Sequence, residues 1–543
     1  MSTQVVGSGS VVLGNLVAYA EDGLYKLPTI QREFVWKERH VKSFIEALYK
    51  GFPVGMIVFW MPKDKSIVDS SVFMDTAKTM PDYSFVLDGQ QRVTSLLLVK
   101  HNFGITRDGR NISCKKLFFN PQSEEFMLKT HDVDEKQWIS VYDVAIESPK
   151  YYDYVTRKDV GQETVERLKK LRQALTSRVL PSYTIGPEFE YEDVARIFLQ
   201  MNSAGVKIGT VDMFFSLLAS KFPKDFKENI LKFHYSLSDS FGTSLRFVVR
   251  SLAAILGENQ SNFKSARIRQ AIDKLATDQG KLKVAWDKAE FYINEMAKIL
   301  NDLGLDNDSY LPSENVLVPM VYYLSIKENK LSAKERNQLI LWFLLSSFFG
   351  RYSASVDTRL DQDLATIKND SSLTNLFINL KKRTGRLNIA AEDFKGKYKV
   401  NQLLLFLVAA RANGATDWFG GTLISSKDAS EQHIFPRAFL QQNKIEDSDM
   451  INDIANITIL TLRANIHMGK NPPEEYFKRN YVGQDKIEKH FVPTNPDLWR
   501  IEKYADFLEE RRKKMVSGIR DYLESLGMSE VEKEVDETVK AKA

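Results

Sequence analysis

Between about residues 160 and 375 the apolar side chains recur at i, i+3 and i+4 in one segment after another. ETVERLKKLRQAL, YEDVARIFLQMN, TVDMFFSLLASKF, SLRFVVRSLAAILG, AWDKAEFYINEMAKILNDLG and ERNQLILWFLLSSFFGRY all carry the pattern. That period lays a greasy stripe along one face of a helix, so the middle of the chain is constrained to be α-helical. The preceding stretch reads differently. VGMIVFWM (54–61), SFVLD (84–88) and KKLFFN (115–120) are rich in β-branched and aromatic residues and are bounded by Gly, Pro or Asp, which marks strands. KERHVKSFIEALYKG (37–51) has apolar residues at 41, 44, 45 and 48 and ends at Gly51, which marks a helix. A chain of 543 residues exceeds what one core serves. The expected division is an α/β unit over 1–150, an α-helical domain over 151–380 and a third unit over 381–525. The last is entered through a basic, glycine-bearing connection and a helix at about 400–413. The chain from 529, SEVEKEVDETVKAKA, has almost no bulky apolar residue, and a tail over 526–543 is expected to be disordered.

Composition closes several function classes. The longest apolar runs, LILWFLLSSFFG (339–350) and LLLFLVAA (403–410), fall short of the roughly 20 residues needed to span a bilayer. The N-terminal stretch lacks the cationic start and apolar core of a secretory signal, so a cytoplasmic location is expected. A single cysteine, Cys114, allows neither an internal disulfide nor a cysteine-based zinc cage. The net charge of +4, from 75 basic and 71 acidic residues, permits a polyanionic partner without requiring one. Three local clusters could meet phosphates: KKRTGR (381–386), KGKYK (395–399) and RRKK (511–514). A solvated helix face explains each of them at least as well.

Two constellations carry chemistry. In FVLDGQQRVTSLLLV (85–99) a strand hands over to a helix through Asp88, Gly89, Gln90, Gln91 and Arg92. Gly89 permits a tight bend, the new helix offers unpaired N–H groups, and Arg92 can grip a phosphate with two parallel bonds. Asp88 could hold a cation or orient a water, or could simply cap the helix. Upstream, Gln31 and Arg32 in LPTIQREFVWKERH (27–40) sit just before Phe34 and Trp36, and two Gln-Arg sites in one small unit suggest one pocket.

LPTIQREFVW, ALYKGFPVGMIVFW, VLDGQQRVTSLLLV and IFLQMNSAGVKIGTVDMFFSLL (197–218) together resemble the ParB-like N-terminal domain of the GmrSD family of type IV, modification-dependent restriction enzymes. WFLLSSFFGRYSASVDTRLDQDL (342–364) resembles the helical part that follows it in that family. The resemblance implies that this unit binds and hydrolyses a nucleoside triphosphate. Its motif stands here as Asp88, Gly89, Gln90, Gln91 and Arg92, with Gln31 and Arg32 matching a second motif, and Asn202 and Gly205 falling on a third. No Walker-type phosphate loop occurs, so a bound nucleotide is not held by one.

The second constellation lies in ASEQHIFPRAFL (429–440) and IANITILTLRANIHMGKNPPEEYF (454–477), which hold His433, Asn456, Asn465 and His467. An imidazole can take a proton from water, an asparagine can orient it, and a metal can stabilise charge on phosphate. The ordered set resembles the C-terminal HNH, or ββα-metal, nuclease domain of the same family. By position His433 matches the general base, Asn456 the residue that orients it, and Asn465 the last metal-side residue. The family's acidic metal ligand before the histidine is Gln432 here, a weaker ligand for Mg²⁺ or Mn²⁺. Glu431 could substitute by a shift of one residue, and His467 could assist Asn465.

The fold class this implies is α+β multidomain: a ParB-like α/β domain, a helical domain and an HNH-like domain set among helices. The expected activity is nucleotide-dependent cleavage of modified phage DNA, such as DNA carrying glucosylated hydroxymethylcytosine, with Mg²⁺ or Mn²⁺ as cofactor. The rivals are a nucleotide-regulated DNA-binding protein whose HNH-like unit has lost cleavage, and an NTPase whose C-terminal domain only recognises DNA. Cutting both strands would need two HNH sites, which makes a homodimer a hypothesis.

Overall fold

The structure is a computed structural model. It describes the chain except residues 1–5, 29–33, 35, 64–69, 79, 108–109, 115, 129–133, 135–136, 190–193, 195–196, 198–223, 262–277, 371, 428, 462–463, 465–467, 470, 479–481 and 543. Two compact units emerge, Met1–Lys224 and Asp225–Ala543.

The first unit is built on a six-stranded sheet in the order β1-β11-β3-β5-β2-β4. Its strands are β1 (Val6–Val12), β2 (Tyr25–Pro28), β3 (Ile57–Trp60), β4 (Ser70–Val72), β5 (Ser84–Asp88) and β11 (Val179–Ile185). Strands β3 and β5 read as unbroken apolar runs because both of their faces are buried. Ile57, Phe59 and Val86 enter one core. Val58, Trp60, Phe85 and Leu87 enter another, with Ile185 and Val194. The larger core is completed by α1 (Leu13–Glu21), α2 (Glu38–Tyr49), α3 (Gln90–Lys100), α4 (Val141–Ala145), α5 (Pro149–Val155) and α6 (Gln162–Thr176). Smaller pairings flank it: β6 (Gly104–Arg107) with β7 (Arg110–Ser113), and β8 (Leu117–Asn120) between β9 (Glu125–Leu128) and β10 (Ile139–Ser140).

This unit does not stop near residue 150. Strand β11 runs antiparallel to β1, with Val6 opposite Ile185, and parallel to β3, with Ser182 opposite Ile57. The expected helix at 163–175 is therefore α6 of the first unit, and the chain up to Ile185 completes its sheet.

The second unit is helical over most of its length. It includes Leu245–Leu256, Gln279–Asp302, Leu317–Ile326, Ala333–Phe348, Val356–Asn369, Thr374–Thr384, Val400–Ala412 and Tyr504–Ser525. Arg351, Tyr352 and Asp363, in the segment that resembles the family's helical part, form a buried clamp. The Asp363 carboxylate accepts from Arg351 Nε (2.9 Å), the Tyr352 hydroxyl (2.6 Å) and Asn379 Nδ2 (3.1 Å). One antiparallel pair, β12 (Ala429–His433) and β13 (Ile457–Thr461), is set among these helices, with His433 opposite Ile457. The fold is thus mixed α and β, as expected.

The tail is not disordered. Met528–Lys542 is a helix. Val531 and Val535, four residues apart, are buried, and Lys334 and Lys381 pair with Glu530 and Asp536 on it. Its apolar content is low but falls on one stripe, which suffices to dock a helix whose other faces stay charged. Among the described residues no helix is long and apolar enough to cross a membrane.

Candidate functional site

In the first unit, β5 ends at Asp88 and α3 begins at Gln90, with Gly89 between them at φ 104°. A Cβ on Gly89 would lie 2.4 Å from Ile57 Cδ1, and one on Gly55 (φ 87°) would lie 2.1 Å from the Arg92 guanidinium. Both positions need glycine for its left-handed backbone and its missing side chain. The guanidinium fills the space so created. Its NH1 donates to the Val54 carbonyl (2.6 Å) and its NH2 to Asp88 Oδ2 (2.9 Å). Asp88 therefore holds Arg92, and the N-cap position falls on Gly89, which has no side chain to cap with. Three of the arginine's five N–H groups remain beyond these two bonds.

Gln91 Oε1 accepts from the backbone N–H of Trp36 at 3.2 Å. Strands β2 and β5 are parallel, so Pro28 and Asp88 end on the same edge of the sheet. Trp36, beyond β2 in the chain, thus meets the Asp88–Arg92 turn through Gln91. Gln31, Arg32, Asn202 and Gly205 lie outside the described residues.

In the second unit, His433 closes β12. Its Nε2 lies 3.1 Å from Asn452 Oδ1. The Asn452 amide is itself fixed, since its Nδ2 donates to the Ser448 carbonyl (2.7 Å) and to Ser448 Oγ (3.2 Å). Its oxygen therefore faces the ring, Nε2 carries the hydrogen, and the lone pair of the neutral imidazole is on Nδ1. Burial pulls the His433 pKa below its usual value; the Asn452 bond opposes this and the Arg437 charge adds to it. A neutral ring with one committed nitrogen is suited to accept a proton at the other.

Asn456 does not touch the imidazole. Fully buried, it accepts from the Phe435 N–H (2.8 Å) and donates to the carbonyls of Phe435 (3.1 Å) and Ile451 (3.0 Å). It orients His433 only through the backbone that follows it, and the direct partner is Asn452. A buried guanidinium extends this bracing: Arg511 NH1 donates to the carbonyls of Ala455 and Ile457, each at 2.7 Å, on either side of Asn456. The RRKK cluster therefore does not present its arginines to phosphate. Arg511 is fully buried, and Arg512 is pinned between the Phe394 carbonyl (2.8 Å) and Asp453 Oδ2 (2.9 Å).

The strand period places Gln432 and His433 on opposite faces of β12. Gln432 is buried, with its Nε2 donating to Ser430 Oγ at 3.0 Å. Glu431 shares the imidazole's face, and its negative charge, after burial, helps to raise the Tyr310 pKa. Asn465 and His467 lie outside the described residues. Among the described residues no group of three His, Cys, Asp or Glu side chains is placed to hold a metal ion.

A second histidine on the buried side shows what burial alone does. His490 takes Thr458 Oγ1 (2.9 Å) and the Thr416 carbonyl (2.9 Å) as partners, and burial lowers its pKa to about 4. The unfolded chain takes up this proton below about 6.5, the native protein only near 4, so stability is full above 6.5 and falls as pH drops between the two values. The expected loss is on the order of 3 kcal/mol. Urea denaturation from pH 7 to pH 4.5 checks it: wild type should lose that much more than His490→Gln over the same range.

Residues 13–219 match the family model of the GmrSD restriction endonuclease N-terminal domain. The match supports the GmrSD restriction endonuclease family. It falls within the first unit, takes in α1 through β11 and contains the Asp88–Arg92 turn, while the His433 site lies beyond the GmrSD match. The chain is also 21% identical over 522 residues to an uncharacterized protein of Methanocaldococcus jannaschii, with 86% of each chain covered.

Sequence reasoning missed Asn452, Asp453 and the bracing role of Arg511. A faint signal exists in NDIAN (452–456), where a second asparagine precedes Asn456 by one helical turn.

Proposed function

We propose that the chain is a nucleotide-dependent DNA endonuclease of the type IV restriction class, cleaving modified phage DNA such as DNA carrying glucosylated hydroxymethylcytosine. The observation that carries this reading is the His433 imidazole: neutral, fixed at Nε2 by Asn452 and set at the end of an antiparallel pair, in a chain with a GmrSD-type N-terminal domain. His433 Nδ1 takes the proton of the attacking water, and Asn456 holds the backbone on which the ring is mounted. The Asp88–Arg92 turn, with Gln31 and Arg32, binds the nucleoside triphosphate; the N–H groups of Arg92 not used by Asp88 and Val54 address its phosphates.

One observation favours a second reading, a nucleotide-regulated DNA-binding protein without cleavage. Gln432, which stands where the resemblance implies an acidic metal ligand, is buried and bonded to Ser430. The two readings separate when unmodified and glucosyl-hydroxymethylated DNA are incubated with Mg²⁺ or Mn²⁺, with and without nucleoside triphosphates. Cutting that stops on addition of EDTA, with Arg92→Ala losing at least tenfold of the nucleotide-dependent part alone, is the expected result. DNA that stays intact yet is retained by the protein in a mobility-shift measurement, with an affinity that changes on addition of nucleotide, establishes the second reading.

A further inference from the structure

Of the three basic clusters, two are largely taken up within the fold. In KKRTGR, Lys381 pairs with Asp536, Arg383 donates to the Gly350 carbonyl and Ser353 Oγ, and Arg386 pairs with Asp393. In RRKK both arginines are buried clamps. KGKYK differs: Lys395, Lys397 and Lys399 are all exposed, and none forms an ion pair among the described residues.

Their backbone is tied to the turn that carries the partner of His433. Tyr398 N–H donates to the Asn452 carbonyl (2.9 Å), Gly396 N–H donates to Asp453 Oδ2 (2.9 Å), and Ile454 N–H donates to the Gly396 carbonyl (3.0 Å). Lys397 and Asp453 form a β-bridge. Arg512 closes the arrangement by holding both Phe394 and Asp453 from the buried side. Three unneutralised ammonium groups are thus presented on a fixed backbone, one residue pair away from the asparagine that holds the imidazole. Arg437, four residues along the chain and exposed, adds a further positive charge whose field reaches the ring.

We propose that Lys395, Lys397 and Lys399 form the surface on which the sugar-phosphate backbone of duplex DNA lies beside His433. The inference rests on the nuclease reading for its ligand, and charge complementarity selects the occupant: mobile ammonium groups meet successive phosphates as point charges without reading bases. Each phosphate neutralised releases condensed counterions, so each contact adds about 0.9 to the dependence of log affinity on log salt.

The test measures binding of a short labelled duplex by fluorescence anisotropy, in EDTA and in a His433→Ala background, over a series of salt concentrations. The variant K395Q/K397Q/K399Q should lower the salt slope by about 2–3. The comparison variant K281Q/K283Q/K288Q, which removes equal charge from exposed positions on the helix Gln279–Asp302, should leave the slope unchanged. Equal losses in the two variants, or a lysine variant that binds like its parent, overturn the surface while leaving the nuclease reading standing. A parent that binds no duplex at any salt concentration overturns both.

Discussion

Replacing His433 with alanine is expected to lower the rate of phosphodiester cleavage by about 10²–10⁴-fold, the usual contribution of a positioned proton acceptor. The protein should stay folded, because among the described residues the ring's one hydrogen-bond partner is Asn452, at an edge that is only partly buried. The pH dependence supplies a readout that damaged packing would not imitate. Burial lowers the pKa of His433, so the base is already neutral across the ordinary range. In wild type, kcat/KM should rise with pH through a midpoint below about 6.5 and be flat above it. The Asn452 bond favours the protonated ring. Asn452→Ala should therefore move the midpoint lower still and reduce the plateau, because the ring then loses the contact that commits Nε2. A His433→Ala protein that cuts as fast as wild type removes the imidazole from the chemistry.

A large stability effect is expected at Arg512. Its ion pair with Asp453 is buried on both sides, with side chains 8% and 7% exposed. Such a pair contributes little as a whole, yet removing one partner strands a charge away from water. Arg512→Met should cost about 3–5 kcal/mol in urea denaturation. Asp453 also accepts from the Gly396 and Ala455 N–H groups, so it cannot move out to solvent without releasing two backbone donors. Adding Asp453→Asn should restore part of the loss, since an amide needs no cation while its oxygen can still accept. If Arg512→Met is as stable as wild type, the pair is not holding the 394–399 segment against the Asn452 turn.

What the sequence disclosed and what it concealed follow from the kind of interaction involved. Strands β3 and β5 and helix α2 were legible because their apolar residues follow the local period, and burial rewards that period wherever the element sits. Strand β11 was not: VLPSYTI alternates, but Pro181 argues against an inner strand and a helix of good period, α6, precedes it. The tail misled in the opposite way, because valines four apart count for little in composition and much on a helix face. At the candidate site, the position of His433 was readable, whereas its partner was not. Asn456 and Asn452 are one turn apart and chemically identical, and only the tertiary course of the chain decides which amide meets the ring and which meets backbone. The arginines of RRKK show the same limit. Charge in a sequence suggests solvent, yet Arg511 donates to the carbonyls of Ala455 and Ile457, and Arg512 to the Phe394 carbonyl and the Asp453 carboxylate, all more than 50 residues away.

The pairing of β1 with β11 bears on how the first unit is made. Val6 waits for Ile185, and the strand that separates β1 from β3 is the last of the sheet to leave the ribosome. At about 5–20 residues per second, β1 remains without its neighbour for roughly 10–35 s of synthesis. During that interval β3 presents an open edge of Ile57–Trp60 to whatever strands are nearby. Nascent chains are therefore most exposed to mispairing between the appearance of β5 and that of β11, and a fragment ended near residue 150 would keep that open edge permanently.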